Sequence, residues 1–190
     1  MSRRDRRQEI LQAAGRVVLG QGVGAFTLEA VAAAAGVSKG GLLYHFATKE
    51  ELLSGMVDQL IEMTEARIER AMAGDKGPGR WTRGYLAACA VDPSGQDPLD
   101  RLATALLAAG ATDPGLLDRL REHETAWNDL SRNDGLDATT AAIVRLAADG
   151  LWMNDLFGIE VLSAKERKAV LKRLGEMTRC ETTGVEGRGP

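Results

Sequence analysis

The segment from Phe26 to Leu53, FTLEAVAAAAGVSKGGLLYHFATKEELL, constrains the fold more than any other part of the chain. Thr27 is a favourable N-cap for a helix over Leu28–Ala35, and Gly36 suits a turn that needs a positive φ. A further helix is expected over Lys39–Phe46, capped by the serine before it. Two short helices joined by a tight glycine turn have little freedom in how they cross.

This arrangement predicts a helix-turn-helix, the motif that places the N-terminal end of its second helix in the major groove of DNA. The motif needs small side chains where its helices cross, a tight turn and an outward-facing start of the second helix. Ala32–Ala35 provides the small face, and Val37 and Leu42 are expected to pack inward. The segment therefore predicts a unit that reads DNA.

The rest of the sequence predicts helices and no strand. Apolar residues recur at helical spacing, Thr48 and Ser163 each begin a capping box with a glutamate three residues on, and residues 74–79 form the clearest linker. Further helices are expected over residues 6–19, 48–73, 81–91, 97–109, 113–130, 136–157 and 163–179.

The expected fold is all-α, with about nine helices. We expect residues 1–47 to form an N-terminal three-helix helix-turn-helix DNA-binding domain. Residues 48–180 are expected to form a C-terminal helical bundle for ligand binding and dimerisation. Residues 181–190 contain too little apolar surface to fold and are predicted to be a disordered tail.

Charge is unevenly distributed along the chain. The net charge of the 190 residues is −3, yet residues 1–50 hold seven lysines and arginines against four acids. A basic N-terminal segment on an otherwise acidic chain indicates that only this segment binds a polyanion. Four of these cations, Arg3, Arg4, Arg6 and Arg7, are expected to form a frayed terminus that steers weakly, with an arm that touches DNA as the alternative.

The cysteines and the hydropathy pattern exclude other classes. Cys89 and Cys180 form no paired motif, and the N-terminus has no apolar region typical of a secretory leader. No apolar run approaches the roughly 20 residues that span a bilayer. We therefore expect a reduced, cytoplasmic protein without a membrane partner.

The helix-turn-helix segment resembles the DNA-binding domain of the TetR family of transcriptional regulators (TetR/AcrR-like). The resemblance covers about residues 6–55 and is carried by Phe26-Thr27, Val31-Ala32, Ala35-Gly36-Val37-Ser38, Leu42, Tyr44-His45-Phe46 and Lys49-Glu50-Glu51-Leu52-Leu53. Leu43 departs from the pattern, because many members have an aromatic residue there. The resemblance implies a homodimer that binds double-stranded DNA and usually a small molecule.

By position, the resemblance implies phosphate contacts for four residues. Thr27 begins the second helix, Tyr44 and His45 follow the third, and Lys49 begins the fourth. Hydroxyl, imidazole and ammonium groups all donate to phosphate oxygens.

Base edges are expected to lie near the start of the third helix. The residues expected to approach the bases are Ser38, Lys39, Gly40 and Gly41. The Lys39 ammonium can donate hydrogen bonds to guanine O6 and N7. The two glycines each cost about 1 kcal/mol in a helix relative to alanine. That cost suggests that close approach of DNA matters more here than local stability.

A small-molecule effector is expected between the fourth helix and the later helices, in a pocket lined by apolar side chains. The candidate contacts are Met56, Met63, Tyr85, Trp127, Asn128 and Trp152, with a place in the core or in the dimer contact as the alternative for each of them. Apolar stripes on the last two long helices predict the dimer contact. The expected function is a ligand-responsive repressor of a palindromic operator, with no cofactor and no enzymatic activity.

Two alternatives remain open, a metal-responsive regulator and a helical-bundle enzyme. Cys89, His123 and an acid are candidate metal ligands, although their spacing matches no known metal motif. Glu122, His123 and Glu124 are adjacent and would point in three directions on one helix. The sequence contains neither a nucleophile elbow nor a phosphate loop.

Overall fold

The computed structural model describes residues 3–90, 97–110 and 114–179. Within these ranges the chain forms nine α-helices and no strand, which confirms the predicted all-α fold. The helices are α1 (Arg3–Gln21), α2 (Leu28–Ala35), α3 (Lys39–Leu43), α4 (Lys49–Met72), α5 (Arg80–Cys89), α6 (Pro98–Gly110), α7 (Asp118–Arg132), α8 (Ala138–Leu156) and α9 (Ala164–Met177). The predicted tail lies outside the described residues.

The chain divides into two compact units. Unit 1 comprises Met1–Glu65 and Ser94–Thr125, and unit 2 comprises Ala66–Pro93 and Ala126–Pro190. Both α4 and α7 therefore contribute residues to each unit. The division into a DNA-binding domain and a ligand-binding domain at residue 47 concerns function, and it stays a prediction. Across the described residues, we find no helix with the length and apolar character needed to cross a membrane.

Unit 1 is organised around α1, which packs against α2 and α6. The apolar residues at helical spacing along α1 are buried, as predicted: Ile10, Leu11, Ala14, Val17 and Val18. Burial of one such leucine or isoleucine side chain stabilises the fold by about 1.5–3 kcal/mol. The helix starts three residues before the predicted position, at Arg3. The expectation of a frayed terminus is therefore wrong for residues 3–7, where Arg6 pairs with Glu9 at 2.9 Å and supports the first turns.

The helix-turn-helix forms as its local signals predict. Thr27 Oγ1 accepts a hydrogen bond from the Ala30 N–H at 3.1 Å and caps α2. Gly36 ends α2 with a φ of 65°, in the left-handed region that glycine adopts without a steric cost. Ser38 Oγ caps α3 through the Gly41 N–H at 3.0 Å. Local hydrogen bonding thus fixes both helix starts and the turn.

The third helix is shorter than predicted. It ends at Leu43, because the His45 N–H bonds to the Leu42 carbonyl at 2.8 Å and tightens the last turn. Tyr44 and His45 therefore lie just beyond α3. Helix α4 then begins with a capping interaction in which the Glu51 N–H donates to Thr48 Oγ1. The Glu51 carboxylate reaches back to the Ala47 N–H at 2.8 Å, one residue before the position that a standard capping box uses.

Unit 2 packs α5 against α8 and α9. Asp137 caps α8 through the Thr140 N–H, and Ser163 and Glu166 form the predicted capping box of α9. The single helix expected over residues 113–130 is instead a 3-10 turn, Pro114–Leu117, followed by α7. The expected cap Asp113 lies outside the described residues.

Candidate nucleic-acid interface

Two of the three hydroxyl residues among the predicted DNA contacts lie at helix starts. Thr27 and Ser38 are both exposed, and each hydroxyl oxygen accepts a backbone N–H of its own helix. This use of the oxygen as acceptor leaves the O–H proton as a donor. A capping hydroxyl beside the backbone N–H groups of a helix N-terminus is a favourable arrangement for a phosphate oxygen.

Lys39 is the first residue of α3 and pairs with a carboxylate on α2. Its Nζ lies 2.6 Å from Glu29 Oε1, and both side chains are more than half exposed. The hydrogen bond from Lys39 lowers the pKa of Glu29 below its ordinary value. The pair connects the two helices of the helix-turn-helix and holds the ammonium at the start of α3. Sequence reasoning missed this contact, although the two residues are close in sequence.

The surrounding protein leaves room for a side chain at Gly40 of α3 and is tight at Gly41. A Cβ at Gly40 would meet no atom within 4 Å, and one at Gly41 would lie 3.2 Å from Ser38 Oγ. Both backbones are helical, so no left-handed conformation demands glycine. The glycine at position 40 consequently has no explanation in the packing of this chain.

Tyr44 and His45 form an edge-to-face pair after α3, with ring centroids 5.3 Å apart. Tyr44 is 66% exposed, and the Arg3 guanidinium lies 4.9 Å from its ring centroid. Burial, followed by the positive charges of Arg3, Arg7 and Arg6, lowers the pKa of His45 below its ordinary value. The imidazole is therefore neutral at neutral pH and keeps one ring N–H as a donor.

Lys49 begins α4 and is half-buried. Its Nζ lies 5.3 Å from the ring centroid of Phe26, which is itself buried. A cation over an aromatic face is held by the ring quadrupole. Lys49 is therefore positioned by the core of unit 1.

The eight predicted DNA contacts all lie in unit 1, at the start of α2, on α3 or directly beside its ends, and at the start of α4. Six are exposed, whereas His45 and Lys49 are half-buried. Together they offer hydroxyl, ammonium and imidazole donors beside helix N-termini. This set of groups is suited to binding an anionic backbone.

The six predicted ligand contacts do not share one unit. Met56 is fully buried and Met63 half-buried, both in unit 1. The other four belong to unit 2, where Tyr85 and Trp127 are buried, Trp152 is half-buried and Asn128 is exposed. The assignment of these six as effector contacts stays a prediction.

An arginine inside an aromatic cluster is the feature of unit 2 that sequence reasoning missed. Arg145 is 4% exposed, and its guanidinium carbon lies 4.4 Å from the Tyr85 ring centroid and within 6.0 Å of those of Trp81 and Trp127. The Tyr85 hydroxyl donates to Asp149 at 2.5 Å. Burial raises the pKa of Tyr85 far above its ordinary range, so the phenol stays protonated and donates. Helical spacing alone gave no sign that a cation occupies this core.

The alternative of a metal site gains no support from the part of the chain that the structure describes. Within it, no group of three or more histidine, cysteine, aspartate and glutamate side chains is placed to hold an ion. His123 Nε2 instead lies 2.8 Å from Glu65 Oε1 in unit 1.

Two family models match the sequence. Residues 10–56 match the model of bacterial regulatory proteins of the tetR family, and residues 79–179 match that of the tetracyclin repressor-like C-terminal domain. The second match alone covers more than half of the chain. Among curated proteins, none matches the sequence.

Solved structures share the fold over nearly the whole chain. A TetR-family member from Streptomyces coelicolor A3 is 27% identical with a TM-score of 0.63, over 90% of this chain and 98% of that one. The multidrug binding protein EbrR, complexed with imidazole, is 24% identical with a TM-score of 0.61, over 89% and 94%. NalD, the secondary repressor of the MexAB-OprM multidrug efflux pump in Pseudomonas aeruginosa, is 20% identical with a TM-score of 0.66, over 93% and 97%.

Proposed function

The chain belongs to the TetR family of transcriptional regulators, and from this premise we propose that it is a homodimeric repressor of a palindromic DNA operator. The observation that carries the proposal is the clustering of exposed and half-buried donors at the start of α2, on and beside α3, and at the start of α4. An acidic chain without such a cluster would gain little from approaching DNA. A small hydrophobic or amphipathic effector would release the repressor from its operator.

The proposed contacts divide into two classes. Thr27, Tyr44, His45 and Lys49 position the protein on phosphates and act on every sequence alike. Ser38, Lys39, Gly40 and Gly41 approach base edges, where Lys39 donates to guanine and the glycines allow close contact. The two classes should therefore differ in a binding experiment. Loss of a phosphate contact should weaken binding to every sequence, and loss of a base contact should reduce discrimination between sequences.

Dimerisation is proposed through α8, which presents large apolar side chains to solvent. Ile143, Leu146 and Met153 on α8, with Phe157 directly after its end, are exposed at helical spacing, Leu146 by 71% and Phe157 by 61%. Asp155 on α8 and Arg167 on α9 form a two-pronged ion pair at 2.9 and 2.6 Å, which fixes the two helices beside each other. A dimer matters for function because two recognition helices about 34–36 Å apart read two adjacent major grooves.

Effector control follows from thermodynamic linkage. A ligand weakens DNA binding only if it binds the conformation with low DNA affinity more tightly than the other. The structural neighbours EbrR, a multidrug binding protein, and NalD, an efflux-pump repressor, support an apolar or amphipathic effector. We infer that the effector of this chain belongs to that broad class.

Selection of bound fragments from the host genome, followed by fluorescence anisotropy on a selected palindrome, tests the proposal. The Tyr44→Ala/Lys49→Ala variant should lose at least about tenfold in DNA affinity at about 150 mM salt, because two phosphate donors are removed. Lys168→Ala, which removes an exposed cation from α9, serves as the control and should bind as the wild type does. Unchanged affinity of the double variant would exclude the proposed interface.

A further inference from the structure

A cavity of about 260 Å³ lies in unit 1, between α1, α4 and α6. Its apolar wall includes Leu11 of α1, Met63 of α4 and Leu102 of α6. Leu11 and Leu102 are buried, and Met63 is half-buried. The volume falls just below the roughly 300–1,000 Å³ of common small-molecule pockets. A small ligand would fit, and a drug-sized one would not.

A glycine in the middle of α1 keeps this cavity open. Gly15 is buried and lines the cavity, yet a Cβ placed on it would meet no atom within 4 Å. Its backbone is helical, so neither a positive φ nor crowding requires glycine there. Glycine in a helix interior destabilises the helix relative to alanine. Gly15 therefore destabilises α1, and the visible structural effect of its missing side chain is open space in the cavity.

The polar part of the lining is cationic. Arg16 of α1 and Arg101 of α6 are both exposed at the cavity, and Gln12 of α1 and Gln59 of α4 add two amides. Among the described residues that line the cavity, none is acidic. Guanidinium groups bind carboxylates through paired, charge-assisted hydrogen bonds, whereas a cationic ligand would meet two like charges. An apolar floor beside two arginines matches a small amphipathic anion.

We propose that the cavity between α1, α4 and α6 binds a small organic carboxylate. The apolar body of the ligand lies against Leu11, Met63 and Leu102, and Gly15 provides the room for it. The carboxylate binds Arg16 and Arg101 at the cavity edge.

The position of Arg16 connects this site to the helix-turn-helix. Its Nη2 donates a long hydrogen bond of 3.4 Å to the Ala34 carbonyl in the last turn of α2. A bound carboxylate competes for this guanidinium and weakens its hold on α2. This second step, a change in DNA affinity, rests on the proposed function, whereas ligand binding itself does not.

Calorimetric titration of the full chain with octanoate tests the site, with octan-1-ol and octylammonium as matched neutral and cationic probes. Octanoate should bind at one site per chain and at least about tenfold more tightly than either probe. The Arg16→Gln/Arg101→Gln variant should remove this preference. Absence of saturable octanoate binding, or equal binding of all three probes, overturns the proposal.

Two substitutions in α1 separate the cavity from general effects on folding. Gly15→Met fills the cavity and should abolish octanoate binding without lowering the melting temperature, because methionine favours helix and meets open space. Gly20→Met makes the same change in α1 at a residue with equally open surroundings but outside the cavity, and should leave octanoate binding intact. Octanoate binding that survives Gly15→Met overturns the site.

Coupling to DNA is measured separately, by repeating operator anisotropy with saturating octanoate. Operator affinity should change at least about threefold in the wild type and not in Gly15→Met. An unchanged affinity despite octanoate binding overturns the coupling and leaves the site standing. If the selection recovers no genomic fragment that the chain binds, the proposed function is rejected. The calorimetric result for octanoate would be unaffected.

Discussion

At the scale of single residues, the Lys39–Glu29 pair fixes the position of the ammonium at the start of α3, which we propose contacts DNA. The ammonium proposed to read a base is held 2.6 Å from a carboxylate on α2. Both side chains are well exposed, so the pair adds little to stability, and its importance lies in the position of the charge. The carboxylate orients Lys39, and in the proposed complex it would also repel the DNA backbone.

Glu29→Gln should therefore raise affinity for all DNA sequences and reduce discrimination between them. The change removes one negative charge near phosphates, so non-operator affinity should rise severalfold and the salt slope should steepen by about one. Fluorescence anisotropy across a salt series on operator and scrambled DNA measures both effects. Glu62→Gln makes the same charge change at a residue about 20 Å along α4 from its start, which exceeds the screening length. It should alter neither the non-operator affinity nor the salt slope. Lower affinity of Glu29→Gln for every sequence would contradict this role.

Gly40→Ala should have opposite effects on the stability of the chain and on its affinity for DNA. Alanine at this open helical position should raise the free energy of unfolding by about 0.5–1 kcal/mol. It should weaken operator binding about tenfold if DNA closely approaches the backbone. Urea unfolding and anisotropy measure the two effects. Gly20→Ala, in equally open space on α1, should stabilise without affecting DNA binding, and a Gly40→Ala variant that binds as tightly as the wild type would refute close approach.

At the scale of elements, the start of α5 depends on residues far away in sequence. Gly79 precedes the helix with a φ of 78° and has no side chain to cap it. Asp134 supplies the cap instead, accepting the Trp81 and Thr82 N–H groups at 3.0 and 2.7 Å from more than 50 residues away. A Cβ at Gly79 would lie 2.7 Å from the Thr178 carbonyl oxygen, so this junction has room only for glycine.

Arg83 of α5 holds the same junction by an ion pair with Asp75. Its Nε and Nη2 donate to the Asp75 carboxylate at 2.7 and 2.9 Å, and its Nη1 donates to the Thr178 carbonyl. The hydrogen bond from Arg83 lowers the pKa of Asp75 from 3.8 to about 2. The pair links the loop before α5 to the end of α9.

This pair should give the stability of the chain a defined acid dependence. Because the folded-state pKa of Asp75 is depressed, its contribution is complete above pH 3.8 and is lost as the pH falls through about 2. Asp75→Asn should cost roughly 0.5–1 kcal/mol at pH 7, and the difference from the wild type should shrink between these two pH values. Urea unfolding at several pH values measures it, with the exposed Asp129→Asn as a control that should change little. A difference that stays constant down to pH 2 would rule out the ion pair as its source.

At the scale of the whole molecule, the exposed apolar face of α8 is the proposed dimer contact. Leu146 is the most exposed large hydrophobic residue of this helix. A glutamate there would place a charge in an apolar interface, where desolvation is costly.

Leu146→Glu should weaken the dimer at least about tenfold. Sedimentation should show a shift toward the 20.3 kDa monomer, and operator binding should fall with it. Leu130→Glu, at a 51% exposed leucine on α7, is the matched control and should remain dimeric. Equal dissociation of both variants, or of neither, would argue against α8 as the contact.

Much of the fold and of the proposed DNA interface is predictable because it depends on neighbours in sequence. Thr27, Gly36 and Ser38 fix the helix-turn-helix through hydrogen bonds and a backbone angle that act within a few residues. The buried face of α1 follows from helical periodicity for the same reason. The early end of α3 was not predictable, since the competing hydrogen bond at His45 depends on how the following turn packs.

The sequence by itself thus determined most of the helices, their local caps and the segment proposed to carry the DNA-binding donors, because each of these depends on short-range backbone hydrogen bonding. Only the tertiary structure decided which distant groups meet. It placed Asp134 at the start of α5, Arg145 among three aromatic rings, and Gly15 beside an open cavity. Such contacts depend on how helices pack in three dimensions, and helical spacing along one segment carries no information about its partner.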